Sequence, residues 1–261
     1  MLYFLRTTTD PENSQDRSKC REHLLKGIAD FVDRAAARAA EPAPDIFLCA
    51  YKIFKVDQTN SVKQAALEPM KSVLRHKYAR LEEEMKRRPS GEAMHDMITF
   101  LQRDFKIGKK ATHTQTLKGG MLSLLGVWAE SYPHVVHSDE HSAVGELKNM
   151  CMHTLETQYS QWDRMVKHKG NPPDWLLMQG AIDLLKGLCT VHDRLTAKGV
   201  RLSFRVDVSE LFKWCAFTIE QYTNRPGDYQ RFHVLKAVLG FLGEHSSVLR
   251  GAFWPIVEEV L

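Results

Sequence analysis

The sequence has no long hydrophobic run, and no stretch approaches the roughly 18 uncharged apolar residues expected of a membrane-spanning helix. Only Met1–Leu5 precede the first charge, Arg6, which is too short for a signal-peptide core. Glycine and proline are near average, at 15 and 10 of 261 residues, and 26% of residues are charged. These values exclude collagen and low-complexity disorder. We therefore expect a soluble globular protein. Its net charge of +4 permits a polyanionic partner without requiring one.

Cysteine is also scarce, with five residues spread singly along the chain. A disulfide framework would need pairing and a higher density, so none is predicted. Most of the five lie inside apolar helical runs, where a free cysteine behaves as a small buried hydrophobic residue. This usage indicates a reducing compartment, the cytosol or the nucleus.

Alternation of apolar and polar residues, which is typical of strands, is nearly absent. Apolar residues instead recur at helical spacing almost everywhere, as in Leu24, Leu25, Ile28, Phe31 and Val32. Three helices are predicted in the first part of the chain, from about Cys20, Asp45 and Asn60. Further helices are predicted at roughly 92–105, 114–131, 139–160, 173–197, 207–223, 228–245 and 247–260. The predicted fold class is all-α.

One helical pattern recurs along the chain, in which a pair of small or apolar residues is followed by apolar positions at +3 and +7. Its anchors are Leu67, Leu122, Ile182 and Leu235, spaced by 55, 60 and 53 positions. Such spacing fits degenerate HEAT or armadillo repeats, in which each unit buries its apolar face against its neighbours. We predict one continuous α-solenoid segment over residues 1–261.

The sequence contains no recognisable enzyme motif, and we predict no catalytic residue and no cofactor. Gly119-Gly120 lies in the apolar run of a helix, where it favours close packing over a phosphate-binding loop. His192-Asp193-Arg194 contains the three residue types of the kinase His-Arg-Asp triplet, but in a different order.

The twelve histidines raise the question of a metal site. His134, His137 and His141 cluster after a proline, and Cys189 precedes His192 at C-x-x-H spacing. A structural zinc site needs about four converging ligands, and no second pair of ligands in the sequence complements either group. We therefore predict no metal site and interpret the histidines as solvated loop residues.

Two clusters of basic residues suggest contact with phosphate groups. The first lies in and after the third predicted helix, and the second in a loop near residue 108. Since Glu82–Glu84 interrupt the first cluster, a solvated mixed-charge face is the competing interpretation. Lysine and arginine would neutralise phosphates without reading bases. The candidate nucleic-acid-binding residues are Lys63, Arg75, Lys77, Lys106, Lys109 and Lys110.

Trp162 and Trp175 flank a loop and allow two interpretations. They are either exposed anchors for a protein partner or, as large aromatics usually are in solenoids, packed at a repeat junction. The second interpretation is favoured.

Several segments, in order and spacing, resemble the N-terminal helical-repeat region of the DNA-dependent protein kinase catalytic subunit family, within the phosphatidylinositol-3-kinase-related kinases. The resemblance begins at 2–6 and covers nearly the whole chain. The segments that carry it are CREHLLKGIADFVDRAA (20–36), FKIGKK (105–110), LKGGMLSLLGVWAESYP (117–133), LLMQGAIDLLKGLC (176–189) and 211–249.

This resemblance implies a nuclear protein of double-strand break repair by non-homologous end joining. It implies a non-catalytic scaffold that contributes to binding of duplex DNA ends and the Ku heterodimer, joined to further repeats and a kinase region of a longer chain. Family members carry a basic segment near the position of Lys106, Lys109 and Lys110. No kinase, FAT or FATC region is present, and no enzyme activity is expected of these residues. The alternative is a protein–protein solenoid of adaptor or transport type without nucleic-acid binding.

Overall fold

The computed structural model describes residues 14–87, 96, 98–99, 115–133, 144–168, 171–198, 208–224 and 232–244, and every regular element in this part of the chain is a helix. The predicted all-α solenoid class is confirmed. The described helices are α1 (Ser14–Arg34), α2 (Ala36–Ala39), α3 (Ala43–Val56), α4 (Asn60–Arg75), α5 (Ala79–Arg87), α6 (Gln115–Ser131), α7 (Val144–His168), α8 (Trp175–Ala197), α9 (Val208–Asn224) and α10 (232–244). None of these helices combines the length and apolarity that a membrane-spanning segment needs.

The helices agree with the predicted ranges to within a few residues at most ends. Helix α5 forms in a charged segment for which no helix is predicted. Helix α7 also differs, because it continues to His168 instead of ending near 160. Its last turns carry Met165 and Val166, which pack against the core and so stabilise the longer helix. Residues 96, 98 and 99 are helical, within the range predicted for 92–105. The predicted helix at 247–260 lies outside the described residues.

Helices α1, α4, α6, α8 and α10 form a row of parallel neighbours. Ser72 Oγ on α4 donates to Asp33 Oδ2 on α1 at 3.1 Å, and Gln64 of α4 lies against Gly120 of α6. Further along the row, α6 packs on α8 and α8 contacts α10. Partners across each junction lie at similar heights along their helices, so the helices run in the same direction. This lateral stacking of equivalent helices is the arrangement expected of a repeat solenoid.

Helices α3, α7 and α9 run antiparallel to this row and cover one side of it. The hairpin between α3 and α4 is closed by Asp57, whose Oδ1 accepts a hydrogen bond from Thr59 N at 2.8 Å. The hairpin between α7 and α8 is closed by Asp174, whose Oδ1 caps α8 by accepting from Leu177 N at 2.9 Å. Gln158 of α7 also accepts from Asp174 N at 2.7 Å, which holds the two helices together.

A single cluster of buried apolar residues extends from Leu25 on α1 to Phe241 on α10. The repeat anchors Leu67, Leu122, Ile182 and Leu235 are all buried, as the recurring pattern predicts. The predicted continuity over the whole of 1–261 also concerns residues outside the described part and stays a prediction.

Trp162 and Trp175 pack against each other at the junction of α7, α8 and α9. Their rings are edge to face with centroids 4.8 Å apart, and Trp162 also contacts Phe217 of α9 at 5.2 Å. Both indoles are buried, at 0% and 8% exposure. The preferred interpretation, packing at a repeat junction, is confirmed. The partner-anchor interpretation is wrong, because neither ring is accessible.

Helices α6 and α8 meet through glycine, and we call this contact the glycine seam, made of Gly119 and Gly126 on α6 and Gly180 and Gly187 on α8. A Cβ added to Gly119 would lie 2.7 Å from Leu176 C, and one added to Gly126 would lie 2.7 Å from Leu184 N. Real Cβ atoms essentially never come within 3.0 Å of another heavy atom. The two backbones are therefore in direct contact, which confirms the close packing predicted at Gly119.

Candidate nucleic-acid interface

Two of the predicted phosphate-binding residues, Arg75 and Lys77, lie together at the carboxyl end of α4, and both are exposed. Lys77 has φ of 52°, in the left-handed region, and its N–H donates to Leu74 O at 3.1 Å. This conformation ends the helix and turns the chain toward α5. It is normally supplied by glycine because a Cβ is strained there.

Cations at this position also have a structural explanation. The carboxyl end of a helix carries partial negative charge, which Arg75 and Lys77 complement. Next to them, His76 Nε2 lies 3.5 Å from Asp33 Oδ1 of α1, and Tyr78 donates through its hydroxyl to Ala36 O at 2.8 Å. The corner formed by 75–78 is therefore held in place by contacts to neighbouring elements, with its two basic side chains directed outward.

Lys63 does not join this corner. It occupies the first turn of α4, so it lies about 18 Å from Arg75 along the helix axis and about 120° round it. The half-buried side chain of Lys63 therefore belongs to the other end of the helix row. Lys106, Lys109 and Lys110 lie outside the described residues, so the structure neither groups nor separates them from Arg75 and Lys77.

The structure also brings together a group of charged residues that the sequence analysis did not select. We call it the charged network. It crosses the outward side of the parallel row and consists of Lys71 on α4, Ser123 and Glu130 on α6, Asp183 and Lys186 on α8, and Glu244 on α10. Lys71 is itself buried, at 7% exposure, and lies 3.3 Å from Glu68. The contact between Ser123 and Asp183 joins positions about one predicted repeat apart. Polar residues at equivalent positions of successive repeats were therefore the sequence signal that could have revealed this network.

Asp183 lies at the centre of the charged network. Its Oδ2 accepts a hydrogen bond from Ser123 Oγ at 2.7 Å, between the two levels of the glycine seam. Burial raises the pKa of the Asp183 carboxyl, and the Ser123 hydrogen bond and the charges of Lys71, Lys186 and Arg75 offset this only in part. Burial would lower the pKa of Lys186, but Glu244, Glu130 and Asp183 together raise it, so the lysine remains charged.

Cations and carboxylates therefore alternate along the described part of this face. Lys186 Nζ lies 2.8 Å from Glu244 Oε1 and 3.8 Å from Glu130 Oε2. The mixed charge disfavours the centre of the face as a phosphate track, whereas the corner at the end of α4 carries two exposed cations, Arg75 and Lys77.

The described residues include Cys189 and His192, the C-x-x-H pair of the sequence analysis. Among them, no three His, Cys, Asp or Glu side chains are grouped closely enough to hold a metal ion. Cys189 is buried, and burial raises the pKa of its thiol to about 12, so it holds its proton at neutral pH. His192 contacts Asp193, with Nδ1 at 3.4 Å from Oδ1. His134, His137 and His141 lie outside the described residues.

The chain is similar to a known protein family and to a curated protein. The profile of the family described as "DNA-PKcs, N-terminal" matches residues 1–253. The DNA-dependent protein kinase catalytic subunit of Dictyostelium discoideum is 22% identical over 250 residues, covering 96% of this chain and 5% of that protein. The chain thus spans a small part of its relative's length. No solved structure matches it. Because the family profile covers almost every residue, the chain belongs to the DNA-PKcs N-terminal family.

Proposed function

We propose that this chain is a non-catalytic helical scaffold that contributes to the binding of duplex DNA ends and the Ku heterodimer in non-homologous end joining. It would act in the nucleus, as the N-terminal part of a longer chain that carries further repeats and the kinase region. The observation that carries this proposal is the family match over residues 1–253, together with a relative whose name describes a DNA-dependent kinase.

The physical basis for DNA contact is the corner of α4. Arg75 and Lys77 are exposed side by side on a rigid turn, so their charges are available to a phosphate backbone without ordering a loop. Each phosphate neutralised releases a condensed counterion, and the slope of log affinity against log salt falls by about 0.9 for each phosphate that is no longer neutralised. Removing both basic residues should therefore reduce the salt slope by about 1.8.

The test is a salt titration of binding to a blunt duplex and to the same duplex closed by hairpins, followed by fluorescence anisotropy. The first variant is R75Q/K77G. Its glycine suits the left-handed position, so a loss of binding will not come from unfolding. The second variant, K106E/K109E/K110E, examines the basic segment predicted from the sequence. The matched control is K52Q/K213Q, which removes two exposed lysines from α3 and α9, in the antiparallel layer.

We expect R75Q/K77G to weaken binding and flatten its salt dependence, while K52Q/K213Q behaves as the unmodified chain. Preference for the open duplex over the closed one would support recognition of ends. A pull-down with purified Ku, with and without DNA, tests the second partner separately. If neither basic variant changes affinity or salt slope, DNA contact at these residues is wrong.

The second candidate function is a protein–protein solenoid that does not bind nucleic acid. The alternation of Lys71, Asp183, Lys186 and Glu244 along one face favours it, because a charged protein partner would be recognised by both signs. This function predicts capture of Ku without DNA, and no measurable duplex binding by the unmodified chain or by any of the variants.

A further inference from the structure

The junctions along the parallel row are not alike. At the glycine seam, a Cβ on Gly187 of α8 would lie 2.9 Å from Gly126 C of α6, so backbone meets backbone and the two helices have no room to slide. At the next junction, apolar side chains of α8 and α10 face each other, and Gly240 and Gly243 of α10 lie on its exposed side, away from α8. Helices α6 and α8 are therefore a rigid pair held by backbone contact, whereas α10 meets α8 through apolar side chains.

Apolar side chains line a small gap between α8 and α10. Ile182 and Leu185 of α8 face Val238 and Phe241 of α10 across a small apolar gap that Cys215 of α9 also lines. Apolar contacts of this kind are not directional, so they favour closeness without fixing an angle. A directional contact is needed to set how α10 lies on α8.

Lys186 supplies that contact. Its Nζ lies 2.8 Å from Glu244 Oε1 on α10 and 3.8 Å from Glu130 Oε2 on α6, and Asp183 lies about one turn earlier on the same helix. The lysine side chain is 26% exposed and the Glu244 side chain 53% exposed. Salt and water therefore reach this ion pair, whereas the glycine seam is buried.

We infer that the Lys186–Glu244 ion pair is a salt-sensitive latch that sets the position of α10 against the rigid α6–α8 pair. When the latch opens, Glu244 leaves Lys186, and α10 shifts over the apolar gap while the glycine seam stays closed. Since the shape of a solenoid is the sum of small rotations between repeats, one such contact changes the direction of everything that follows it. This inference does not depend on whether the chain binds DNA.

The test is hydrogen–deuterium exchange of the full chain carrying Glu244→Gln. The substitution preserves side-chain size and removes the charge. An exposed ion pair contributes little to stability, so we expect exchange in 232–244 to become faster by about two- to five-fold. Exchange in α6 and α8 should not change, because backbone contact and not charge holds them together.

The matched control is Asp163→Asn. It breaks an ion pair of similar length, Lys167 Nζ to Asp163 Oδ2 at 2.9 Å, that lies within α7 and ties no helices together. This variant should leave exchange in 232–244 unchanged.

A salt series on the unmodified chain gives an independent measurement. Raising NaCl from about 0.1 M to about 1 M shortens the Debye length from about 10 Å to about 3 Å. Exchange in 232–244 should then rise as it does in the Glu244→Gln variant, and that variant should itself respond little to salt. Unchanged exchange in 232–244, or an equal increase across α6, α8 and α10, would overturn the latch.

Discussion

Replacing Gly126 by alanine should destabilise the protein, although alanine is the better helix former. The added Cβ would lie 2.7 Å from Leu184 N and still closer to the carbonyl oxygen of Asp183. Ordinary van der Waals contact begins near 3.4 Å, so α6 and α8 must part by about 1 Å, which forfeits a quarter to a half of each dispersion contact across the seam. Because both obstacles are backbone atoms, no side chain is able to rotate away.

The magnitude follows from two opposing terms. Overpacking of a core costs about 1–3 kcal/mol, and the rigid backbone contact places this site at the upper end, near 3 kcal/mol. Alanine in place of glycine recovers about 1 kcal/mol of helix propensity. The expected net loss in free energy of unfolding is about 2 kcal/mol.

Gly27 on α1 is the matched control, because no heavy atom lies within 4 Å of its added Cβ. Gly27→Ala should stabilise the protein by about 1 kcal/mol. Urea denaturation of both variants should therefore separate them by about 3 kcal/mol. The double variant G126A/G187A should cost less than the sum of its parts, since one separation of the helices relieves both clashes. A Gly126→Ala variant as stable as Gly27→Ala would refute direct backbone contact at the seam.

Two further predictions concern buried ionisable groups. The folded-state pKa of Asp183 is raised, so its ionisation opposes folding as pH rises above its unfolded-state value near 4. In urea denaturation, Asp183→Asn should therefore gain stability relative to the unmodified chain as the pH is raised from about 4. A difference that does not vary with pH would contradict this. Under native conditions a thiol reagent should rapidly label the exposed Cys20 and reach the buried cysteines only after unfolding. Burial limits access to these thiols, and it raises the pKa of Cys189 and Cys215 to about 12. The packing would be contradicted by rapid labelling of any of the buried thiols, which are Cys49, Cys151, Cys189 and Cys215.

The helical class, most helix ends and the buried side of each described helix were predictable, because they depend on spacing within a few turns. The anchors Leu67, Leu122 and Ile182 are buried as the repeat pattern indicates. Pro69 is an instructive exception to local reasoning. It lies inside α4, where proline removes a backbone donor, yet the helix continues through it because α1, α3 and α6 pack around α4.

The candidate site was predictable only in part. Basic residues are visible in the sequence, but whether they meet depends on helix phase and length. Arg75 and Lys77 are neighbours at one corner, whereas Lys63 lies at the other end of the same helix. The acids that alternate with the cations come from helices far apart in the chain, so the mixed charge of the face was not apparent from any single segment.

An amphipathic period is a property of each helix alone, and it was enough to establish an all-α repeat protein with no predicted enzyme motif. Contacts between helices about 60 residues apart depend on how equivalent helices stack side by side. Only that stacking turned four glycines into a backbone seam, placed the half-buried Asp183 beside Ser123, and brought Lys186 between Glu130 and Glu244. Local periodicity selects which face is buried, and tertiary packing alone selects what that face meets.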